Sequence, residues 1–289
     1  MRPYRKRLYK GGERTMLSDV SFGSYYPSSS FVHKLDPRVK ILILIAYLVA
    51  VFAAKSFLSL AVPVLFLCVA VAFSSVPVKS VLKSVKGIIF LLIFTALLNV
   101  LFYKPKEGDT VYFWVITKEG LLNAAFIGAR LISLVLGSSV LTLTTTPVNL
   151  TDGIESLLKP LALIKFPVHE LALVTSIALR FIPTLASETD RIINAQKARG
   201  ADFESGNIIK RVKALVPVLI PLLVSAFRRA DELGDAMEAR CYAGSKNRVK
   251  YKKLKFTWRD PLAVILTAAA VTGVFLLNAY GAQLLAVIF

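Results

Sequence analysis

Few residues in this chain are equipped for chemistry, and they are scattered. His33 and His169 are its two histidines, and neither stands in a metal-binding pattern such as HExxH, so packing or interface roles are expected for both. Cys68 sits inside an apolar run and Cys241 in a charged segment, with no CxxC pattern. That supports neither a disulfide framework nor a zinc site. No GxxxxGK[ST] phosphate loop occurs, and the glycines at Gly11, Gly12 and Gly206 do not open one, so the chain is not expected to hydrolyse ATP. With no cluster of acid, base and nucleophile either, the reading is of a non-enzyme without a cofactor.

A short arginine motif, by contrast, recurs. Ala198-Arg199-Gly200 ends one long helical pattern and Ala239-Arg240-Cys241 ends another. Asp190 matches Asp231, Ala195 matches Ala236, Ala198 matches Ala239 and Arg199 matches Arg240, each pair 41 residues apart. Taken singly, each motif is an ordinary helix end: an Arg in the last turn suits the negative end of the macrodipole, and Gly200 is a common terminator. Recurrence adds a second meaning. A small Ala beside each Arg permits close approach, and the guanidinium fork can grip a carboxylate in bidentate fashion. Two similar helix ends suit two similar protein partners.

The elements that position these motifs are set by hydrophobicity. The 289 residues are 55% hydrophobic with a mean hydropathy of +0.63, above the apolar share of soluble domains. The net charge of +18 is read as membrane topology rather than nucleic-acid binding, because basic residues of such chains gather in cytoplasmic loops. Five apolar stretches approach the roughly 20 residues needed to cross a bilayer: about Val39 to Ala54, Phe57 to Val76, Gly87 to Tyr103, Leu121 to Thr145, and Pro261 to about Tyr280. The first is short and Lys55 interrupts it, so the first two alternatively form one re-entrant hairpin. The basic tail through Lys40 and the loop carrying Lys79, Lys83 and Lys86 are expected inside, and the charge-balanced loop from Lys104 to Glu119 outside. Arg130 falls within the fourth span, where a charge faces protein or water: either a packed or snorkelling Arg or an intramembrane partner contact.

The segment from Pro147 to Trp258 is amphipathic. Its two long patterns, about Val168 to Arg199 and about Asn207 to Arg240, would each be on the order of 45 Å as helices. Pro183, Pro217 and Pro221 predict kinks in them. Bent, half-apolar helices of this length are expected along the membrane surface. Arg228 and Glu232 are spaced for an i,i+4 pair within a mixed-charge face. Val216, Val218, Leu219, Ile220, Leu222, Leu223 and Val224 are apolar nearly all round and require burial against lipid or protein. The organisation expected is a tail (1–40), four transmembrane helices (41–146), a cytoplasmic coupling domain (147–258) and a last transmembrane helix (259–289): an all-α, multi-pass cell-membrane protein.

The motifs resemble a known family. Ser21-Phe22-Gly23-Ser24-Tyr25-Tyr26-Pro27 followed by Ser30 to Lys40 (SFVHKLDPRVK) is similar to the N-terminal signature of the transmembrane T component of energy-coupling factor transporters, the EcfT and CbiQ family. Ala178 to Leu185, Ala195 to Gly200, and Arg229 to Leu233 with Ala236 to Arg240 resemble its coupling-helix motifs. The resemblance implies a scaffold joining two ABC-type ATPases to a membrane-embedded substrate-binding S component in importers of vitamins or metal ions. It implies that Ala198, Arg199, Gly200, Ala239, Arg240 and Cys241 dock the ATPases. Surfaces around Phe181, Pro183 and Leu185, and around Pro217, Leu219, Pro221 and Leu222, would transmit their motion to the S component. Cys241 departs from the family's glycine, and cysteine adopts a positive φ less readily. A self-contained secondary transporter would need binding elements at mid-membrane, for which Arg130 is the one charged candidate. A membrane enzyme would need a catalytic cluster.

Overall fold

A computed structural model describes residues 25–101, 111–113, 116–164, 166–203, 207–242, 244 and 256–288. The first part of the N-terminal signature, Ser21 to Ser24, lies outside them. The described residues part into two compact units, one within His169–Val249, the other within Gly23–Val168 and Lys250–Phe289.

The larger unit is a helical bundle. Helix α1 (Pro37–Ala53) starts where Pro37 occupies the first turn and the Asp36 carboxylate accepts the Arg38 amide, a start that uses a residue without an N–H where none is needed. In α2 (Phe57–Ser74), Ser56 and Ser59 cap each other's backbone reciprocally. Helix α3 (Val78–Val85) leads through a 3-10 turn (Lys86–Ile88) into α4 (Ile89–Leu101), and a two-stranded ribbon, Val111–Phe113 with Ile116–Thr117, precedes α5 (Lys118–Thr144). Helix α6 (Pro147–Leu158) and a 3-10 stretch (Lys159–Ile164) follow, and α9 (Arg259–Ile288) closes the bundle.

The core forms where α1, α2 and α9 meet, around Tyr47, Ala50, Val51, Leu60, Leu67 and Val274, with α5 packed against it. Gly137 on α5 is required there, because a Cβ at that position would lie 2.3 Å from the Tyr47 ring. The Tyr47 hydroxyl donates to the Ser133 carbonyl at 3.0 Å, satisfying the one polar atom of an otherwise apolar contact. Gly153 likewise lets α6 approach Pro37 and Ile41 of α1.

Five helical stretches are long and apolar enough to cross a membrane among the described residues: Phe57–Ser74, Val78–Leu101, Glu119–Thr144, Val168–Ala198 and Arg259–Tyr280. The set differs from the expected one at three points, the first being that Val168–Ala198, expected along the membrane surface, is among them. At 17 residues, α1 is shorter than these. The third stretch begins at Val78 rather than Gly87, because Lys79, Lys83 and Lys86, expected in a loop, lie on helix. Val78, Val81 and Val85 recur on one face of α3, and Val81 is buried beside Val76 and Leu143, so an amphipathic turn carries the lysines.

The smaller unit contains two 31-residue helices, α7 (Val168–Ala198) and α8 (Ile208–Glu238). Both run through their prolines, Pro183 in α7 and Pro217 and Pro221 in α8. The first of them is itself long and apolar enough to span a membrane by length and composition.

Candidate functional site

The helix ends that carry the arginines are built alike. After α7, the amide of Gly200 donates to the Lys197 carbonyl at 2.9 Å and that of Ala201 to Gln196 at 2.9 Å. After α8, Cys241 donates to Glu238 at 2.8 Å and Tyr242 to Met237 at 3.0 Å. Each is the paired i−3 and i−5 pattern of a Schellman end, which satisfies carbonyls that a helix C-terminus leaves open. Such an end needs one left-handed residue. Gly200 supplies it with φ 89°, and Cys241 supplies it with φ 56°. The departure from glycine therefore leaves the shape of the end intact and places a Cβ in a conformation that costs roughly 1–2 kcal/mol.

All six motif residues, Ala198, Arg199, Gly200, Ala239, Arg240 and Cys241, are exposed. Each arginine thus stands free at a helix tip with the partial negative charge of the terminal carbonyls behind it. An accessible guanidinium, small neighbours and a fixed backbone suit it to a carboxylate on another protein.

The helices meet at a polar contact further back. Arg229 donates to Glu188 at 2.8 Å, and the Ser225 hydroxyl donates to the other oxygen of the same carboxylate. These residues obey the spacing of the arginine motifs: Glu188 and Arg229 are 41 residues apart. The contact lies 11 residues before Arg199 on one helix and 11 before Arg240 on the other, roughly 16 Å in each case. The expected pair of Arg228 and Glu232 is replaced by this one, and both of those residues are exposed. The repeat offset is the sequence signal that singles out Glu188 with Arg229.

Of the surfaces expected to face a second partner, Pro183 is exposed on α7 while Phe181 and Leu185 are half-buried. On α8, Pro217, Leu219 and Pro221 are exposed and Leu222 is half-buried. Exposure is not confined to this patch: Ile209, Val212, Val216, Leu219, Leu223 and Phe227 form an apolar stripe along α8, with Leu219 54% and Phe227 67% exposed.

Arg130 is a packed residue in the bundle. It donates to the Ala54 carbonyl at the end of α1 and lies 4.6 Å over the Phe126 ring. Asn278 of α9 donates to the neighbouring Ala53 carbonyl at 2.8 Å. Two side chains thus cap carbonyls that would otherwise be orphaned at the C-terminal end of α1. A second polar knot organises the HKLDPRVK stretch. The buried Lys40 ammonium donates to the Thr144 carbonyl at 2.9 Å, the Thr145 hydroxyl at 3.2 Å and the His33 carbonyl at 3.3 Å. The buried Asp260 carboxylate accepts the amides of Asp36 at 2.9 Å and Thr257 at 2.6 Å. His33 Nε2 lies 2.9 Å from the Tyr26 carbonyl and Nδ1 2.6 Å from the Ser30 hydroxyl. Since a carbonyl only accepts, Nε2 carries a proton and donates it to Tyr26.

The family model described as CbiQ, cobalt transport protein, matches residues 28–251. The chain belongs to the CbiQ/EcfT family. The curated energy-coupling factor transporter transmembrane protein EcfT of Clostridium kluyveri is 50% identical over 251 residues, covering 86% of this chain and 93% of that protein. EcfT of Ruminiclostridium cellulolyticum is 47% identical over 266 residues, 91% of this chain and 98% of the relative. EcfT of Bacillus subtilis is 45% identical over 267 residues, 91% and 100% of the two chains. Membership makes the chain a transmembrane transport protein of this family, and the matched region contains both arginine motifs.

Proposed function

We propose that this chain is the transmembrane scaffold of an energy-coupling factor importer, joining two ATPase subunits to a membrane-embedded S component that carries a vitamin or a metal ion. The observation that carries the reading is the pair of exposed arginines on like-built helix ends, equidistant from the Glu188–Arg229 contact. Arg199 and Arg240 each enter an acidic groove on one ATPase. The scaffold contributes no catalytic group; hydrolysis belongs to the partners. The N-terminus and the segment 147–258 are cytoplasmic, the latter acting as the coupling domain between transmembrane segments 41–146 and 259–289.

Coupling follows from lever geometry. When ATP draws the two ATPases together, the tips of α7 and α8 move relative to each other while the contact at Glu188 and Arg229 acts as a pivot. Surfaces on the opposite side of that pivot from the tips, around Phe181 to Leu185 and Pro217 to Leu222, then shift in response. An S component seated on the exposed stripe of α8 is tilted by that shift, so cargo selectivity resides in the S component and not in this chain. The stripe supports the assignment because exposed apolar area of this extent is stable only when covered.

The test is co-purification from the native membrane. The wild-type chain is expected to bring down two ATPase subunits and a small membrane protein. Leu219→Asp is expected to release the membrane protein while the ATPases stay. Retention of both with unchanged uptake would leave the stripe as lipid-facing packing, and a chain that purifies alone yet transports would favour a self-contained carrier.

A further inference from the structure

The bundle contains an apolar cavity of about 440 Å³ among α1, α2, α5 and α9, within the range of ligand pockets. Its walls are almost wholly hydrocarbon. Leu65 and Phe73 of α2 and Leu262 and Leu266 of α9 line it and are nevertheless 44 to 67% exposed, so it opens sideways between two helices long and apolar enough to span a membrane. From Leu262 to Ala270 the wall on α9 runs for about 12 Å, close to one leaflet of a ~30 Å hydrocarbon layer.

Arg259 stands at one end of this wall. It precedes Leu262, Leu266 and Ala270 by three, seven and eleven residues, which places all four on one face of α9. Its guanidinium lies 5.6 Å over the ring of Phe31, itself a cavity residue, and 5.7 Å over Trp258. Its Nε is buried and has no hydrogen-bond partner. Neither helix capping nor ion pairing accounts for an arginine here, because a cation in the first turn opposes the helix dipole. Of the neighbouring carboxylates, Asp260 accepts the amides of Asp36 and Thr257 with its two oxygens, and Asp36 accepts the Arg38 amide with Oδ1 while its Oδ2 is buried without a partner; neither forms an ion pair with Arg259. The Lys40 ammonium, also at this end, is occupied by three acceptors. Trp258, 69% exposed, is the residue type that settles at the headgroup level of a bilayer.

We propose that this cleft binds one anionic phospholipid, its acyl tail in the cavity along α2 and α9 and its phosphate on Arg259. The bound lipid fills space that would otherwise stand open between two spans, and it supplies the acceptors that the guanidinium lacks. Its role is to wedge α9 against α2, a contact on which the position of the last span depends.

The test uses Trp258 as reporter in a Trp114→Phe background, since the chain has two tryptophans. The full chain, extracted with whatever subunits accompany it, is titrated with phosphatidylglycerol bearing brominated acyl chains and separately with the matching brominated phosphatidylcholine. Saturable quenching is expected, with half-saturation at least tenfold lower for phosphatidylglycerol, and native mass spectrometry is expected to show one retained anionic phospholipid. Arg259→Gln is expected to erase the tenfold preference, Arg259→Lys to keep part of it, and Ala270→Phe to weaken quenching at least fivefold by filling the cavity. Equal response to the two lipids in the unsubstituted chain would overturn the proposal. So would an undiminished preference in Arg259→Gln, or unchanged quenching in Ala270→Phe with helical content intact.

Discussion

Replacing Cys241 with glycine should stabilise the end of α8, although cysteine is what the chain carries. The residue holds φ at 56°, where an L side chain costs roughly 1–2 kcal/mol against its own carbonyl geometry. Glycine removes that cost but brings a more flexible unfolded chain, which offsets roughly 0.5–1 kcal/mol of the gain. The net expectation for Cys241→Gly is a gain of about 0.5–1 kcal/mol, confined to the last turn. Gly200→Ala is the mirror experiment, and at φ 89° it should lose a similar amount or more. Space is not the issue, since a Cβ on Gly200 would meet nothing within 4 Å. The readout is amide hydrogen exchange at Tyr242 and Ala201, the donors of the two long Schellman bonds. At tenfold per 1.4 kcal/mol, exchange at Tyr242 should slow about two- to fivefold in Cys241→Gly, and exchange at Ala201 should speed up comparably in Gly200→Ala. Unchanged exchange in both variants would refute the claim that these residues bear the left-handed turn. Slower exchange in Gly200→Ala would contradict it outright.

Two further perturbations test the framework behind the site. Lys40→Met should lower stability by roughly 2 kcal/mol or more, because the Thr144 and His33 carbonyls lose a buried donor; thermal unfolding in detergent measures it, and an unchanged midpoint would remove the knot from the account. Glu188→Gln and Arg229→Gln should each lower stability, and the double variant should lose less than the two losses added together, because the two side chains are partners; thermal unfolding of all four chains measures it, and strictly additive losses would deny the pivot.

Local signals carry much of the fold. The ends of α7 and α8 are legible to within about two residues, because a terminating Arg motif, an apolar period and a repeat all point to the same boundary. The bundle spans α2, α5 and α9 are legible because uniform apolarity over that length is what crossing a bilayer demands. Helix α3 with the 3-10 turn after it is not, since Lys79, Lys83 and Lys86 look like a loop until the Val78, Val81, Val85 stripe is weighed against them. The Lys40 knot escapes for a different reason. Two of its three partners lie 104 and 105 residues away, and Asp260 meets Asp36 across 224; no periodicity records contacts at such separations. The Glu188 to Arg229 contact is half legible: the 41-residue offset relates the two positions, but the offset matches like residues such as Asp190 and Asp231 and gives no sign that an unlike pair at the same spacing would touch. At Cys241 the residue type argues against the turn, and the two backbone hydrogen bonds that close it decide otherwise.

The central claim, that Arg199 and Arg240 dock two ATPases, is tested most directly by measuring ATPase subunits retained by Arg199→Ala, Arg240→Ala and the double variant at matched expression. If the arginines merely complement helix dipoles, each costs ~0.3–1 kcal/mol of stability and assembly is almost unaffected. If they are anchors, truncation of a buried charge pair costs ~2–5 kcal/mol of binding. Each single variant then retains less ATPase, partly masked by the remaining attachment, and the double variant retains almost none. Near-normal ATPase retention and uptake in the double variant would contradict the docking role and return both residues to helix capping.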